Sequence, residues 1–398
     1  MRILKIKDPR QIKRLMQDIR VDPYGIRIML PKAITHLVKI NAVSNIAANI
    51  LKQEMLSLGA EVAVCRGALT GESKKTDCLM MGTLSQFRRL NIKLNRQPFG
   101  LGSLAKELAV ALNNYEQDRF VLQAANRRIP LGSRTLIMGI INVTPDSFSS
   151  DGIWSESGIK TDIANLAQRL VKEGADIIDI GGESSRPGAN PVPLKEELIR
   201  VIPAIKAIAK KVRIPISVDT SKPEVARLAL DNGAVIVNDI SGLRNPQMAR
   251  IVARNNAGVI IMHMKGTPRN MQSNPTYASL MDEIIQYLKA AQERALDAGV
   301  KRENIVIDPG IGFGKSLKDN LSIINNLSEL KVLGEPILVG TSRKSFIGKI
   351  LNSGPSDRVF GTVSTCILAA KNGAHIVRTH DVSEVKQALR IFDEIKKV

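Results

Sequence analysis

From about residue 130 onward the chain alternates short apolar runs, rich in β-branched residues and ending in polar ones, with longer amphipathic stretches. The runs are 136–142 (LIMGIIN), 176–181 (DIIDIG), 215–220 (PISVDT), 235–239 (VIVND), 259–263 (VIIMH), 305–308 (IVID), 336–341 (PILVGT) and 375–379 (HIVRT). Nearly continuous apolarity means burial on both faces, which is the pattern of a parallel sheet. Helical periodicity over 161–173, 194–211, 223–232, 279–298 and 383–397 supplies the crossovers. Eight strand–helix units over about 265 residues match a (β/α)8 TIM barrel. A doubly wound open sheet is the alternative, but it usually opens with a GxGxxG turn, and none follows the first run.

Upstream the pattern is different. Short strands are predicted at 26–30, 34–40, 61–65 and 78–81, helices at 42–58 and 104–113, and a polar loop at 71–76. The expected organisation is a small α/β domain over 1–118, whose role the sequence does not show. A linker or a hairpin capping the barrel bottom follows over 119–134, then the barrel over 135–398.

Composition narrows the class. The 398 residues are 44% hydrophobic and 24% charged, ordinary for a globular protein and too apolar for disorder. No apolar run reaches the roughly 18–20 residues of a membrane span, and the first twenty residues mix charges throughout, unlike a secretory signal. Cys65, Cys78 and Cys366 lie far apart, which suits a reducing, cytoplasmic setting and excludes a disulfide scaffold. The net charge of +19 is densest in the first third. Aromatic residues are only 3%, so base-stacking platforms are scarce. A solvated basic surface or a phosphate-rich small substrate fits better than a nucleic acid, with RNA binding by the basic first domain kept as a separate reading.

In a barrel of this kind the strand C-termini and the loops after them build the site. They carry Asn142, Asp179 with Glu183, Asp219, Asn238 with Asp239, His263, Asp308, Ser342 with Arg343 and Lys344, and Arg378 with His380. Each alone would serve as a cap or turn former, but a polar side chain after nearly every strand is a site. Asp219, Asn238, Asp308 and Lys344 suit a polar heterocycle with several ring N–H and carbonyl groups. Arg378 and His380, two apart, are placed to clamp an anion, and Asn142 offers an oxygen to a hard cation such as Mg2+.

Three loops stand out. Residues 144–152 (TPDSFSSDG), with the acids Asp146 and Asp151, read as an active-site lid or an ordinary loop. Residues 181–189 (GGESSRPGA) bring Arg186 and Pro187 within reach of a second substrate. Residues 309–315 (PGIGFGK) lack the GxxxxGK[ST] spacing, so their glycines are expected to allow close backbone approach to a ligand. Met262 and Met264 would line a flat ring or the core. No HxH, HExxH or GxSxG occurs, and Cys366 lies in an apolar run as a small core residue.

The segments MGIINVTPDSFSSDG (138–152), DIIDIGGESSRPGA (176–189), ISVDTSKPEVA (216–226), VNDISG (237–242), MHMKGTP (262–268), DPGIGFGK (308–315), GTSRKSFIG (340–348) and RTHDV (378–382) closely resemble dihydropteroate synthases. The resemblance covers nearly all of 135–398 in order. It implies a TIM barrel, usually homodimeric and Mg2+-dependent. The implied reaction joins 6-hydroxymethyl-7,8-dihydropterin pyrophosphate to 4-aminobenzoate and releases pyrophosphate in folate synthesis. It places Asp219, Asn238, Met262, Asp308 and Lys344 on the pterin, and Asn142, Arg378 and His380 on the pyrophosphate, with Asn142 also on the metal. Phe148, Ser185, Arg186, Pro187, Phe313 and Ser342 fall to the arylamine pocket. Asp219, Asp308, Lys344, Arg378 and His380 make the catalytic set. The sequence departs from the family pattern where Ser185 replaces a Thr and where SFSSDG replaces SFSDGG. Those changes leave a modified arylamine as an alternative, and a pterin-dependent methyltransferase as the alternative class.

Overall fold

The computed structural model describes residues 1–4, 6, 8–143, 156–183 and 191–397. They form two compact units, Met1–Asn113 and Asn114–Val398. The first unit runs α1 (Pro9–Asp18), α2 (Pro23–Ala33), β1 (Thr35–Ser44), α3 (Asn45–Leu56), β2 (Glu61–Val64), α4 (Arg66–Thr70), β3 (Lys75–Thr83), α5 (Leu84–Leu94) and α6 (Leu101–Glu116), which ends just inside the second unit. Its antiparallel sheet has the order β1-β3-β2, and Leu51, Met55, Met80, Phe87, Leu90 and Leu101 form a core with no exposed surface.

The run IRIML at 26–30, expected as a strand, is helical. Asp22 accepts from the Tyr24 amide at 2.8 Å, and Pro23 pre-sets the first turn, so the local cap overrides a β-prone composition. The helix expected over 42–58 begins only at Asn45, because β1 continues through a bulge at Ala42, where φ is 55°. Helix α5 was not anticipated; a capping box between Thr83 and Gln86 starts it.

The second unit opens with a hairpin, β4 (Phe120–Ala124) and β5 (Arg127–Leu131). Eight parallel strands follow: β6 (Leu136–Asn142), β7 (Ile177–Gly181), β8 (Ile216–Asp219), β9 (Ile236–Asp239), β10 (Gly258–Met262), β11 (Ile305–Asp308), β12 (Leu338–Val339) and β13 (Ile376–Thr379). Their order is β11-β10-β9-β8-β7-β6-β13-β12, and a parallel bridge between Ile307 and Ile337 closes the ring. Helices α7 (Glu156–Glu173), α8 (Leu194–Ala209), α9 (Pro223–Asp231), α10 (Pro246–Arg254), α11 (Leu280–Asp297), α12 (Leu317–Asn325), α13 (Ser345–Leu351), α14 (Val359–Lys371) and α15 (Val382–Lys397) follow the strands in turn. The fold is the TIM barrel that the eight runs imply; seven runs contain their strand, and the run at 259–263 misses only Gly258 at the start of β10.

The hairpin plugs the barrel from below. Leu122, Ala124, Ile129 and Leu131 pack against the lumen-facing Ile177, Ile236, Ile260, Val306, Leu338 and Ile376, so the N-terminal end is a dry core. His375 fastens the neighbouring strand pair: its Nδ1 accepts from the Ile337 amide at 3.1 Å, and its ring stands edge-on to Phe120 at 5.0 Å. Burial pulls its pKa down to about 4. A folded-state pKa below the ordinary 6.5 favours the neutral ring, so its contribution is present above pH 6.5 and lost as pH falls toward 4. Urea unfolding at pH 7 and pH 5 should show about 2 kcal/mol more acid loss in the wild type than in His375→Gln. Equal losses would remove His375 from the account.

Candidate active site

Strand alternation aims the polar residues. Ile141, Ile178, Ile180, Val218, Val237, Ile261, Ile307 and Val377 are buried in the core shared with the outer helices. Their neighbours Asn142, Asp179, Asp219, Asn238, Met262, Asp308 and Arg378 therefore face the lumen. All but Asp179, which sits two residues from the end of β7, lie within the last two residues of their strands. The upper lumen is thus polar where the lower lumen is apolar.

Arg378 organises this layer. Its Nε donates to Asp179 Oδ2 at 2.6 Å and its Nη2 to Asp219 Oδ2 at 2.7 Å. Asn238 Nδ2 donates to the same Asp179 oxygen at 3.1 Å. Burial opposes the Arg378 charge, but Asp179 and Asp219 more than offset it, so its pKa lies above the ordinary value. Burial pushes the Asp219 carboxyl upward; Arg378 opposes the rise, and the Asp179 carboxylate adds to it. Asp308 is likewise raised by burial, to about 6, with the Gly310 amide donating to its Oδ1 at 2.6 Å. Lys344 is lowered by burial to about 8.

His380 does not pair with Arg378 here. Its Nε2 lies 3.2 Å from Asn142 Nδ2 and its Nδ1 lies 3.0 Å from Ser342 Oγ, which also accepts from the His380 amide at 3.1 Å. Burial first, then the Arg378 charge, pulls the ring down to about 3, so it is neutral. The anion clamp read from residues 378 and 380 is one fixed cation and one neutral imidazole. Ser342, expected on the arylamine, stands against this imidazole.

Met262, Met264, Met271 and Phe313 form a separate small cluster beside the polar layer. Lys344 Nζ sits 4.1 Å from the centre of the Phe313 ring, a cation–π contact. Two glycines of 309–315 make room for backbone. A Cβ on Gly310, whose φ is +68°, would lie 2.0 Å from the His263 carbonyl oxygen, and one on Gly314 would lie 2.5 Å from that of Lys265. The close approach is of backbone to backbone. Lys315 then turns inward to His263 Nδ1 at 2.9 Å and the Phe313 carbonyl at 2.9 Å, and burial lowers its pKa to about 7.

Asp146, Phe148, Asp151, Ser185, Arg186 and Pro187 lie outside the described residues. Lys222 bridges Glu183 and the fully buried Glu197, and Glu183 accepts from the Val192 amide at 3.3 Å. The sequence placed Asp179 among the strand-end polar residues, as a charge inside an apolar strand, but gave it no partner; it gave Lys222 and Lys315 no role. Cys366 is a buried core residue of α14, 3.4 Å from Thr341 Oγ1.

The model of the pterin binding enzymes matches residues 138–380, from the first barrel strand to His380. The chain belongs to the pterin-binding enzyme family. Within that family it is 48% identical over 266 residues to the dihydropteroate synthase of Synechocystis, covering 66% of this chain and 91% of that protein. The solved Xanthomonas albilineans dihydropteroate synthase with 4-aminobenzoic acid is 40% identical, with a TM-score of 0.66, over 70% of this chain and 99% of that one. A third pterin-family relative spans the first unit as well. The probable bifunctional folylpolyglutamate synthase/dihydropteroate synthase of Halobacterium salinarum is 40% identical over 381 residues, 95% of this chain and 45% of that protein.

Proposed function

We propose that the barrel is a dihydropteroate synthase, a transferase of folate biosynthesis. It joins 6-hydroxymethyl-7,8-dihydropterin pyrophosphate to 4-aminobenzoate and yields 7,8-dihydropteroate and pyrophosphate. The observation that carries this is the lumen layer: a fixed guanidinium, two raised carboxyls, an amide and an ammonium meet beside a Met–Phe wall. Such a layer complements a flat, hydrogen-bonding ring bearing an anion, and it matches the names of the relatives.

An aniline nitrogen is a weak nucleophile, so the barrier falls most if the leaving group departs early. The C–O bond at the pterin methylene breaks with both electrons leaving on pyrophosphate, the arylamine lone pair forms the C–N bond, and its proton is released. Asp219, Asn238 and Lys344 would hold the ring edge, and Met262 its face. Asp308 would stabilise positive charge developing on the ring. Arg378 supplies the charge for the departing pyrophosphate, and the neutral His380 orients Asn142 beside it by accepting from the Asn142 amide. Exchange of Arg378 Nη2 from Asp219 to a phosphate oxygen prepares both subsites together.

The residues also fit Mg2+ in its usual sparse form. With its amide nitrogen on His380, Asn142 has its carbonyl oxygen left as a donor, and the remaining positions would fall to water and phosphate oxygens. When bound, the ion would neutralise phosphate charge. The arylamine is proposed as 4-aminobenzoate itself.

Three free cysteines, two of them buried, suit a cytoplasmic enzyme. Among the described residues no helix is long and apolar enough to cross a membrane. A homodimer is supported by an apolar stripe on α14, where Phe360 is 85% exposed and Leu368 47%, beside Ile350 and Leu351 of α13. Light scattering should give twice the chain mass for the wild type and the chain mass for Phe360→Glu; equal masses would reject that surface.

The deciding experiment mixes the purified protein with the pterin pyrophosphate, Mg2+ and 4-aminobenzoate. Arylamine-dependent pyrophosphate release with dihydropteroate formed is the expected result. Binding of the pterin pyrophosphate without product would overturn the choice of arylamine. No binding would overturn the synthase in favour of a methyltransferase.

A further inference from the structure

We propose that Asp179 is a positioning residue for the transfer, the fixed pivot that aims Arg378 at the pyrophosphate and holds Asn238 at the pterin edge. The inference rests on the synthase reading above. Asp179 sits two residues below Gly181, whose register partners Asn142 and Asp219 lie at the mouth of the lumen. At about 3.3 Å per residue, its carboxylate therefore lies one layer beneath the groups that face a ligand. It is fully buried.

Both of its hydrogen bonds converge on a single atom. Oδ2 accepts from Arg378 Nε at 2.6 Å and from Asn238 Nδ2 at 3.1 Å, while Oδ1 has no hydrogen-bond partner among the described residues. One oxygen thus joins a residue assigned to the leaving group with one assigned to the ring. The two bonds of Arg378 differ in kind. The Nε bond points down into the closed layer. The Nη2 bond reaches Asp219, which a pterin would also engage. Ligand entry competes only with the second. With Nε anchored, the guanidinium keeps its plane and turns its outer nitrogens to a phosphate oxygen. Without the anchor, it would follow Asp219 or solvent, and the Asn238 amide would lose the acceptor that sets its orientation.

Asp179→Asn keeps the size, removes the charge and leaves one acceptor where two donors now converge. Steady-state kinetics should show KM for the pterin pyrophosphate and the inhibition constant of inorganic pyrophosphate each rising about tenfold or more. KM for 4-aminobenzoate should stay within about twofold, because the hydrogen bonds of Asp179 among the described residues go to Arg378 and Asn238, neither of them assigned to the arylamine. Ser217→Ala is the control: Ser217 is the register partner of Asp179 on β8, equally buried, and its Oγ has no hydrogen-bond partner among the described residues. Its constants should match the wild type. If Asp179→Asn loses only thermal stability and active fraction, with all constants unchanged, the residue is structural and the proposal fails.

Should that variant not fold, arginine-selective 15N NMR of the wild type reads the same pivot. On titration with inorganic pyrophosphate, the Arg378 Nε–H should stay protected while the Nη signals move; loss of Nε protection overturns the pivot. If the wild type forms no dihydropteroate, the synthase reading fails by itself. Calorimetric pyrophosphate binding to the wild type and Asp179→Asn then still tests the pivot.

Discussion

Asp308→Asn is expected to lower kcat by about a hundredfold or more while changing the affinity for pyrophosphate by less than about threefold. Asp308 is raised by burial only to about 6, so it is largely ionised at pH 7, and the Gly310 amide, with Lys344, holds it there. An amide of the same shape keeps hydrogen bonding to a bound ring but carries no negative charge for a cation forming at the methylene. In the proposed mechanism the pyrophosphate falls to Arg378 and Asn142 and not to Asp308. Rapid-quench kinetics and pyrophosphate inhibition separate the two quantities. A variant with intact kcat and weakened pyrophosphate binding would show that the carboxylate acts on the anion, and the dissociative mechanism would be wrong. The wild-type acid limb follows from the same group: turnover should fall as pH drops through about 6 and Asp308 is protonated.

Arg378→Met should be the most destabilising single change in the barrel, by about 3–5 kcal/mol at pH 7, and should abolish measurable binding of the pterin pyrophosphate. The guanidinium faces Asp179, which is fully buried, and Asp219. Methionine fills much of the volume but leaves those carboxylates without their cation. Asp219 is already pushed up by burial and would lose the group that opposes the rise. A folded-state pKa raised above the unfolded value makes stability greatest at low pH and lost as pH increases. Between pH 7 and pH 5 the variant should therefore gain stability relative to the wild type. The buried histidines and the other raised carboxyls are common to both proteins, so the difference between the two pH slopes reports Asp219. Chemical denaturation at the two pH values checks the sign. Parallel pH slopes would mean that Arg378 does not compensate Asp219.

The eight apolar runs, with their number and spacing, pointed to the barrel, and the missing GxGxxG turn stood against an open doubly wound sheet. A strand buried on both faces reads as near-continuous Ile and Val. The polar residues at or near the ends of the runs located the site, because strand C-termini meet at one mouth whatever the packing details. The helices of the first unit were less legible. IRIML reads as a strand by composition, and only the Asp22 cap with Pro23 turns it into a helix. Cap strength and β-propensity differ by about 1 kcal/mol, too little to rank by eye.

Partnerships were decided by the tertiary structure alone. Residues 179, 219, 238 and 378 lie far apart in sequence, and which oxygen accepts from which nitrogen depends on strand register around a closed ring. Register also separated Arg378 from His380: the two are close in sequence, yet one turns to Asp179 and the other to Asn142 and Ser342. The charge of His380 and the use of Gly310 followed from burial and backbone crossing, which no local pattern records. Sequence periodicity determines which face of a strand is buried, a property of each residue with its near neighbours. Hydrogen-bond pairing and pKa depend on groups brought together from across the chain, and only the closed barrel brings them within a few ångströms.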